Sequence, residues 1–240
     1  MSKIQFYDLI LDTENELWSP NTLKTRIALN LKNIPYDNHF LTFPQIHETI
    51  PKITKNGKRP TVPVIVDRGN VIQDSWEIAK YLDATYPNTP SLFNGDEGIN
   101  YFFYQYCNHN LLTHIFKLCV LYIHKKCHDQ ATRDWFRKDR ERLFKVTLEQ
   151  FAGEEATNIN AIKNGLKFIH ITLKTYPYLT GNRPGFADVT LAAYFQNLRV
   201  IRPDLFESTL LNAYPDQAIR NWWNKMEKYT KLAPPNTANL

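Results

Sequence analysis

Apolar and polar positions along the 240 residues divide the chain into two stretches of different texture. In the first, short strand-like runs alternate with helical ones. Lys3 to Leu11 (KIQFYDLIL) reads as a strand, and from Pro20 to Lys32 the residues Leu23, Ile27, Ala28 and Leu31 recur at helical spacing. Tyr36 to Phe43 alternates as a strand does, and a looser connector then runs through Gly57. Val62 to Asp67 is β-branched with a proline at its entry, Arg68-Gly69-Asn70 supplies turn chemistry, and Val71-Ile72 opens a partner strand. A helix follows the Asp74-Ser75 pair. Strand-helix-strand followed by strand-strand-helix describes one small α/β layer domain.

The segment PNTPSLFNGDEG, Pro87 to Gly98, is rich in turn formers. It sets a first domain over 1–87, a linker over 88–98 and a second domain over 99–240. Everything in the second stretch has helical periodicity. Helices are predicted over Asn100 to Lys126, Thr132 to Phe151, Ala156 to Thr175, Asp188 to Ile201 and Asp216 to Lys231. Pro203-Asp204 and Tyr214-Pro215-Asp216 punctuate the last part as helix starts, and the tail after Ala233 is expected to fray.

Composition narrows the class without choosing a function. With 43% hydrophobic and 22% charged residues, the chain has ordinary globular composition and ample material for a core. The net charge of +5 is spread with no run of five basic residues, which is weak support for nucleic-acid binding and compatible with drawing small anions into a cleft. Three cysteines, Cys107, Cys119 and Cys127, form no C-x-x-C pair and point to a reducing compartment. Neither a secretory signal pattern nor a membrane-spanning apolar run is present, so a cytoplasmic protein is expected.

Two places carry candidate chemistry. Pro63 opens a strand that it cannot serve as a ladder donor, and one physical reason to place it there is a cis Val62-Pro63 bond. Such a bond turns the Val62 backbone outward, beside the carboxylate of Asp74 and the hydroxyl of Ser75 at a helix start. That arrangement suits a peptide-like ligand with a free amino-acid end. The second place is WSPNTLKTRIAL, Trp18 to Leu29, where Ser19 stands at the N-cap and Pro20 at the first helical position. Ordinary capping explains Ser19 by itself. The alternative is functional: a helix leaving the first strand of an α/β layer opens at the sheet's carboxyl edge, where ligands bind. A hydroxyl there, backed by the positive end of the helix, can donate to a thiolate or other anion.

In register, Ser19-Pro20 with Lys24, Arg26 and Ala28, then Val62-Pro63-Val64, then Asp74-Ser75 through Tyr81-Leu82-Asp83, and later GNRPGFADVTLAAYF resemble a cytosolic glutathione transferase. The details are most similar to serine-type fungal transferases related to bacterial β-etherases. The resemblance runs from Lys3 to about Lys231. It implies the glutathione transferase fold: a thioredoxin-like α/β N-terminal domain followed by an all-α C-terminal domain that contributes the hydrophobic substrate site. It implies glutathione as co-substrate, a homodimer, no metal, and neither nucleic acid nor membrane as partner. Ser19 corresponds to the hydroxyl on the glutathione sulfur. Val62 and Pro63 would carry the cysteinyl backbone, while Asp74 and Ser75 would hold the γ-glutamyl end. A cation for the glycine carboxylate would come from Arg59 or Lys52, with Lys58, His47 and Lys55 as further candidates.

Trp18 would line the mouth of the hydrophobic site, or be a buried staple. Tyr101, Tyr104, Asn108 and Leu112, on an aromatic helix, would line the electrophile pocket, the competing reading being domain-interface core. Electrophiles would be hydrophobic, aromatic ethers or related xenobiotics among them. The alternatives are a ligandin-like carrier with little turnover and a regulatory module that borrowed the fold. Thiol transfer is disfavoured, because those relatives have cysteine where this chain has Ser19. His124, Cys127 and His128 share a helical face but lack a fourth metal ligand. Asp188 is expected to cap its helix, at a cost of about 1 kcal/mol if replaced. Gly185 stands where the family commonly has Ser or Thr, which leaves that capping box incomplete.

Overall fold

The computed structural model describes residues 3–12 and 16–232; the tail expected to fray after Ala233 lies outside them. Strand β1 (Ile4–Leu9) runs parallel to β2 (Tyr36–Leu41), with helix α1 (Pro20–Leu31) crossing between them. Their register aligns Ile4 with Tyr36 and Leu9 with Leu41. On the other side β1 pairs antiparallel with β3 (Val64–Asp67), and β3 with β4 (Asn70–Gln73), giving the order β2-β1-β3-β4. The β3–β4 hairpin turns on Arg68 and Gly69, both in the left-handed region at φ 51° and 80°. That is the backbone a two-residue turn between twisted strands needs. The ladder of β3 begins at Val64, two residues later than expected, because Pro63 has no N–H to offer it. Helix α3 (Ser75–Thr85) follows.

The looser connector expected through Gly57 is corrected by helix α2 (Phe43–Thr54). Pro44 and Pro51 read as breakers in the sequence. Pro44 falls in the first turn, where its missing N–H costs nothing, and Phe43, Ile46 and Ile50 form a buried face strong enough to carry the helix past Pro51. Lys55 then ends it in the left-handed conformation.

The second stretch is helical throughout but more finely divided than its periodicity suggests. The rod expected over Asn100 to Lys126 is α4 (Glu97–Cys107), a π-helical turn (Asn108–Leu112) and α5 (Thr113–Lys126). The next helix is two, α6 (Gln130–Phe144) and α7 (Leu148–Ala152), broken by left-handed Lys145. Thr147 and Gln150 exchange reciprocal hydrogen bonds of 3.1 Å at the start of α7, a capping box readable from T-x-x-Q. The third is α8 (Glu155–Gly165) and α9 (Lys167–Thr175). Then come α10 (Phe186–Ile201), α11 (Pro203–Phe206) running into a second π turn, and α12 (Ala218–Met226) ending in a 3-10 turn over Glu227–Thr230.

One hydrophobic core runs through both stretches, with α1 packed against α10. Every residue of α1 except Asn21 is buried, including Lys24 and Arg26. Such charges go inside when each finds a partner. Arg26 pairs with Asp8 of β1 at 2.5 Å and also reaches Asn38 of β2. Lys32 donates to Asp83 of α3 at 2.7 Å, and Asp83 in turn accepts the Leu92 N–H. Among the described residues no helix is long and apolar enough to cross a membrane.

Candidate active site

The site begins where the chain leaves β1 and enters α1. Ser19 is the N-cap residue, 5% exposed, yet its side chain makes no capping hydrogen bond. Its carbonyl receives the Leu23 N–H at 2.9 Å, so the helix starts normally without the hydroxyl. The hydroxyl faces space instead. Leu9, Ser19, Asn21 and Arg140 of α6 line two adjoining cavities. The first, about 140 Å³, is completed by α2 and by the segment Arg59 to Val62. The second, about 380 Å³, is walled by Trp18, Leu112, Thr113, Phe116, Phe144 and Phe151. Phe144 and Phe151 stack at 3.9 Å with Phe116 set edge-on to both, which gives that wall a continuous aromatic surface.

On the far side of the first cavity the Val62-Pro63 bond is cis. The Pro63 carbonyl accepts the Asp74 N–H at 3.2 Å, which couples this turn to the start of α3. Asp74 sits at φ 83°, outside the usual range for a residue with a side chain, and its carboxylate accepts the Trp76 and Glu77 N–H groups at 2.8 and 3.3 Å. Asp74 is therefore the cap of α3, and Ser75 is its buried first residue.

Lys24 shapes the electrostatics beneath. It is fully buried, with Nζ over the rings of Tyr104 and Tyr194 at 4.8 and 5.6 Å. Burial lowers its pKa to about 8 against the opposing pull of Asp74. Its ammonium donates to Asn21 Oδ1 at 3.1 Å. An ammonium has no acceptor, so the Asn21 carbonyl must face it and the amide N–H groups must face away.

The sequence-derived candidates fall into two groups. Ser19, Val62 and Arg59 line the first cavity together with His47; Trp18 and Leu112 line the second. Pro63, which follows Val62 and accepts the Asp74 N–H, lines neither cavity, and neither do Asp74 and Ser75. Lys52, Lys55 and Lys58 are exposed and line neither. Arg59 bonds Asp139 of α6 at 2.7 Å. Tyr101, Tyr104 and Asn108 are also away from both cavities: the two tyrosines pack around Trp76 at 4.8 and 5.7 Å, and Asn108 accepts from Tyr194 at 2.5 Å. The tyrosines stand upstream of the π-helical turn, and Thr113 and Phe116, downstream of it, line the larger cavity. Gly165 allows this wide turn to be covered closely, since a Cβ there would meet the Asn110 carbonyl at 2.8 Å.

Asn21, Phe116, Arg140, Phe144 and Phe151 were not singled out by sequence reasoning. Asn21 sits two residues from Ser19 and was within reach of it. Arg140 lies in the run TRDWFRKDRERLFK, whose density of charge by itself describes a solvated helix face. His124, Cys127 and His128 gather no metal set among the described residues: Cys127 Sγ donates to the Ile123 carbonyl, and His128 pairs with Asp129.

Residues 18–85 match the model of the glutathione S-transferase N-terminal domain, and residues 98–229 that of the C-terminal domain. A glutathione S-transferase-like protein of Aspergillus flavus is 28% identical over 220 residues, spanning 80% of this chain and 79% of its own. The crystal structure of glutathione transferase GSTFuA3 from Phanerochaete chrysosporium superposes with a TM-score of 0.83 at 29% identity, over 97% of this chain and 99% of that one. CsGST63524 of Ceriporiopsis subvermispora, solved in complex with glutathione, superposes with a TM-score of 0.83 at 26% identity, over 98% and 100%. With both halves matched in order and the fold shared over nearly the whole length, this chain belongs to the glutathione S-transferase family.

Proposed function

We propose that this protein binds glutathione in the smaller cavity, stabilises its thiolate at Ser19, and delivers it to a hydrophobic electrophile in the larger one. The observation that carries this reading is the uncapped Ser19 hydroxyl at the junction of a polar and an aromatic cavity. A hydroxyl that accepts no helix N–H is free to donate to sulfur, and the first turn of α1 adds its positive end. An ordinary thiol has a pKa near 8.5, and bringing it down by about two units takes roughly 2.7 kcal/mol. A charge-assisted hydrogen bond with a helix N-terminus is of that order. The Asn21 amide, its carbonyl engaged by Lys24, is a second donor on the same junction. Ser19 needs no base, because it donates and does not attack.

The Val62 backbone would pair with the cysteinyl unit as an added strand. Asp74 and Ser75 at the start of α3 would receive the γ-glutamyl end, its carboxylate at the helix N-terminus and its ammonium on Asp74. Of the cations weighed for the glycine carboxylate, Arg59 and His47 line the cavity and take that role.

The test is the kinetic pKa of bound glutathione, from the pH profile of conjugation. In Ser19→Ala the thiolate limb is expected to move toward the alkaline value of an ordinary thiol, with a loss of about 10- to 100-fold in kcat/KM near neutrality. Coincident profiles would show that Ser19 does not activate the thiol. The stacked Phe144 and Phe151 surface also favours retention of aromatic compounds without turnover. Tight dye binding with no conjugation across a panel of electrophiles would establish that carrier role in place of catalysis.

A further inference from the structure

Arg140 comes from the helical half of the molecule and lines both cavities. Among the described residues it is the single charged side chain lining the larger one, set among Leu112, Phe116, Phe144 and Phe151. Its side chain is 19% exposed, and its guanidinium lies over the rings of Phe43 and Phe136 at 5.7 and 5.0 Å. Those rings hold the planar fork in place. A guanidinium has five N–H donors. Among the described residues the one acceptor that Arg140 finds is Asp139.

That carboxylate is shared. Asp139 also receives Arg59 at 2.7 Å and Arg142 at 3.1 Å, so one negative charge faces three positive ones. Burial lowers the pKa of Arg140, Asp139 restores part of it, and Arg59 works against the charge again. Among the described residues no aspartate or glutamate lines either cavity. A half-buried guanidinium in local charge excess at the edge of an aromatic chamber is a ready receptor for a planar anion.

Glutathione's own carboxylates are the first anions to weigh. Arg59 and His47 already stand in the smaller cavity for one of them, and neither reaches the larger. Arg140 alone joins a positive charge to the aromatic wall.

We propose that the second substrate of this site is an aromatic compound bearing a carboxylate, its ring against Phe116, Phe144 and Phe151 and its acid received by Arg140. For turnover this rests on the glutathione-transferase reading; for binding it does not. In the test reaction glutathione thiolate attacks the chlorine-bearing ring carbon of a chlorodinitroarene. A carbon–sulfur bond forms, chloride leaves with the electron pair of the carbon–chlorine bond, and the thiol proton passes to solvent.

The experiment compares neutral chlorodinitrobenzene with its acid counterpart, chlorodinitrobenzoate. In Arg140→Met the acid-to-neutral ratio of kcat/KM is expected to fall roughly 10- to 100-fold, the worth of a charge-assisted hydrogen bond, and Arg140→Lys to recover part of it. An unchanged ratio in Arg140→Met overturns the proposal. A second measurement applies if that variant does not fold, or if neither arene is turned over, a result that counts against the catalytic reading alone. Anilinonaphthalene sulfonate is bound to the unaltered protein and displaced with naphthoate or naphthamide. Naphthoate is expected to act at roughly tenfold lower concentration, with the preference shrinking in Arg140→Lys. Equal potency of acid and amide overturns the proposal.

Discussion

Lys24 and Ser19 sit five residues apart on one helix, and each is set to work by what surrounds it. Lys24 carries a charge into full burial with an amide and two aromatic faces for company. Unfolded, it holds its proton up to the ordinary 10.5; folded, to about 8. Between those values the unfolded chain binds the proton and the native chain does not. Stability from this group therefore falls as pH drops from 10.5 to 8 and is level below 8. The stability of the unaltered protein relative to Lys24→Met is expected to rise between pH 8 and 10.5, by up to about 3 kcal/mol, in urea unfolding at successive pH values. A pH-independent difference would show that Lys24 titrates normally. Ser19 was legible as a candidate because Ser-Pro opens a helix after a first strand. That its hydroxyl leaves the helix uncapped was not, since both outcomes share one sequence.

Elements carry the next level of information, and Asp188 shows how far an element's role exceeds its local signature. As a helix cap its removal was expected to cost about 1 kcal/mol. In the structure its carboxylate is fully buried and accepts four donors: the N–H groups of Gly185 and Leu179, the Thr180 hydroxyl and the Trp222 indole, at 2.8 to 3.0 Å. Burial raises its pKa against all four. It joins the start of α10 to the preceding loop and to α12. The incomplete capping box has a steric cause, because a Cβ at Gly185 would lie within 2.9 Å of Thr180, Asn94 and the Leu92 carbonyl. Asp188→Ala leaves buried donors unmatched and is expected to cost about 3 to 5 kcal/mol in chemical denaturation. A loss near 1 kcal/mol would return Asp188 to the status of a simple cap. Most elements were legible because their buried faces repeat at 2 or 3.6 residues. Helix α2 was concealed by its two prolines, and the breaks at Lys145 and Leu166 by apolar periodicity that continues across them.

At the scale of the whole molecule, the site belongs to neither half. Ser19, Arg59 and Val62 come from the sheet side and Arg140, Phe116 and Phe151 from the helical side. Polar contacts that join the halves include Arg59 to Asp139 at 2.7 Å, Lys126 to Glu16 at 2.7 Å, Asn197 of α10 to the Trp18 carbonyl at 2.8 Å, and Asn30 of α1 to the Tyr229 carbonyl at 2.7 Å. On the outer face of α4, Ile99 and Phe102 are 63% and 71% exposed one helical turn apart. Apolar side chains so presented suit a second copy of the chain, which the family resemblance also implies. Phe102→Glu is expected to lower the mass measured by light scattering from that of two chains to that of one. A single-chain mass before substitution would remove this face from consideration as the homodimer contact.

The sequence by itself determined the order of the four strands and the α/β-then-α organisation, and it brought Ser19, Val62, Asp74 and Ser75 forward as candidates, because periodicity, turn chemistry and motif spacing are local properties of a chain. The tertiary structure alone decided which side chains share a cavity. Arg140 and Phe151 are separated from Ser19 by more than a hundred residues, and their convergence depends on how α6 and α7 pack against α5 and α2. The aromatic wall of the larger cavity is likewise assembled from three elements, Phe116 of α5, Phe144 of α6 and Phe151 of α7, which only their packing brings together.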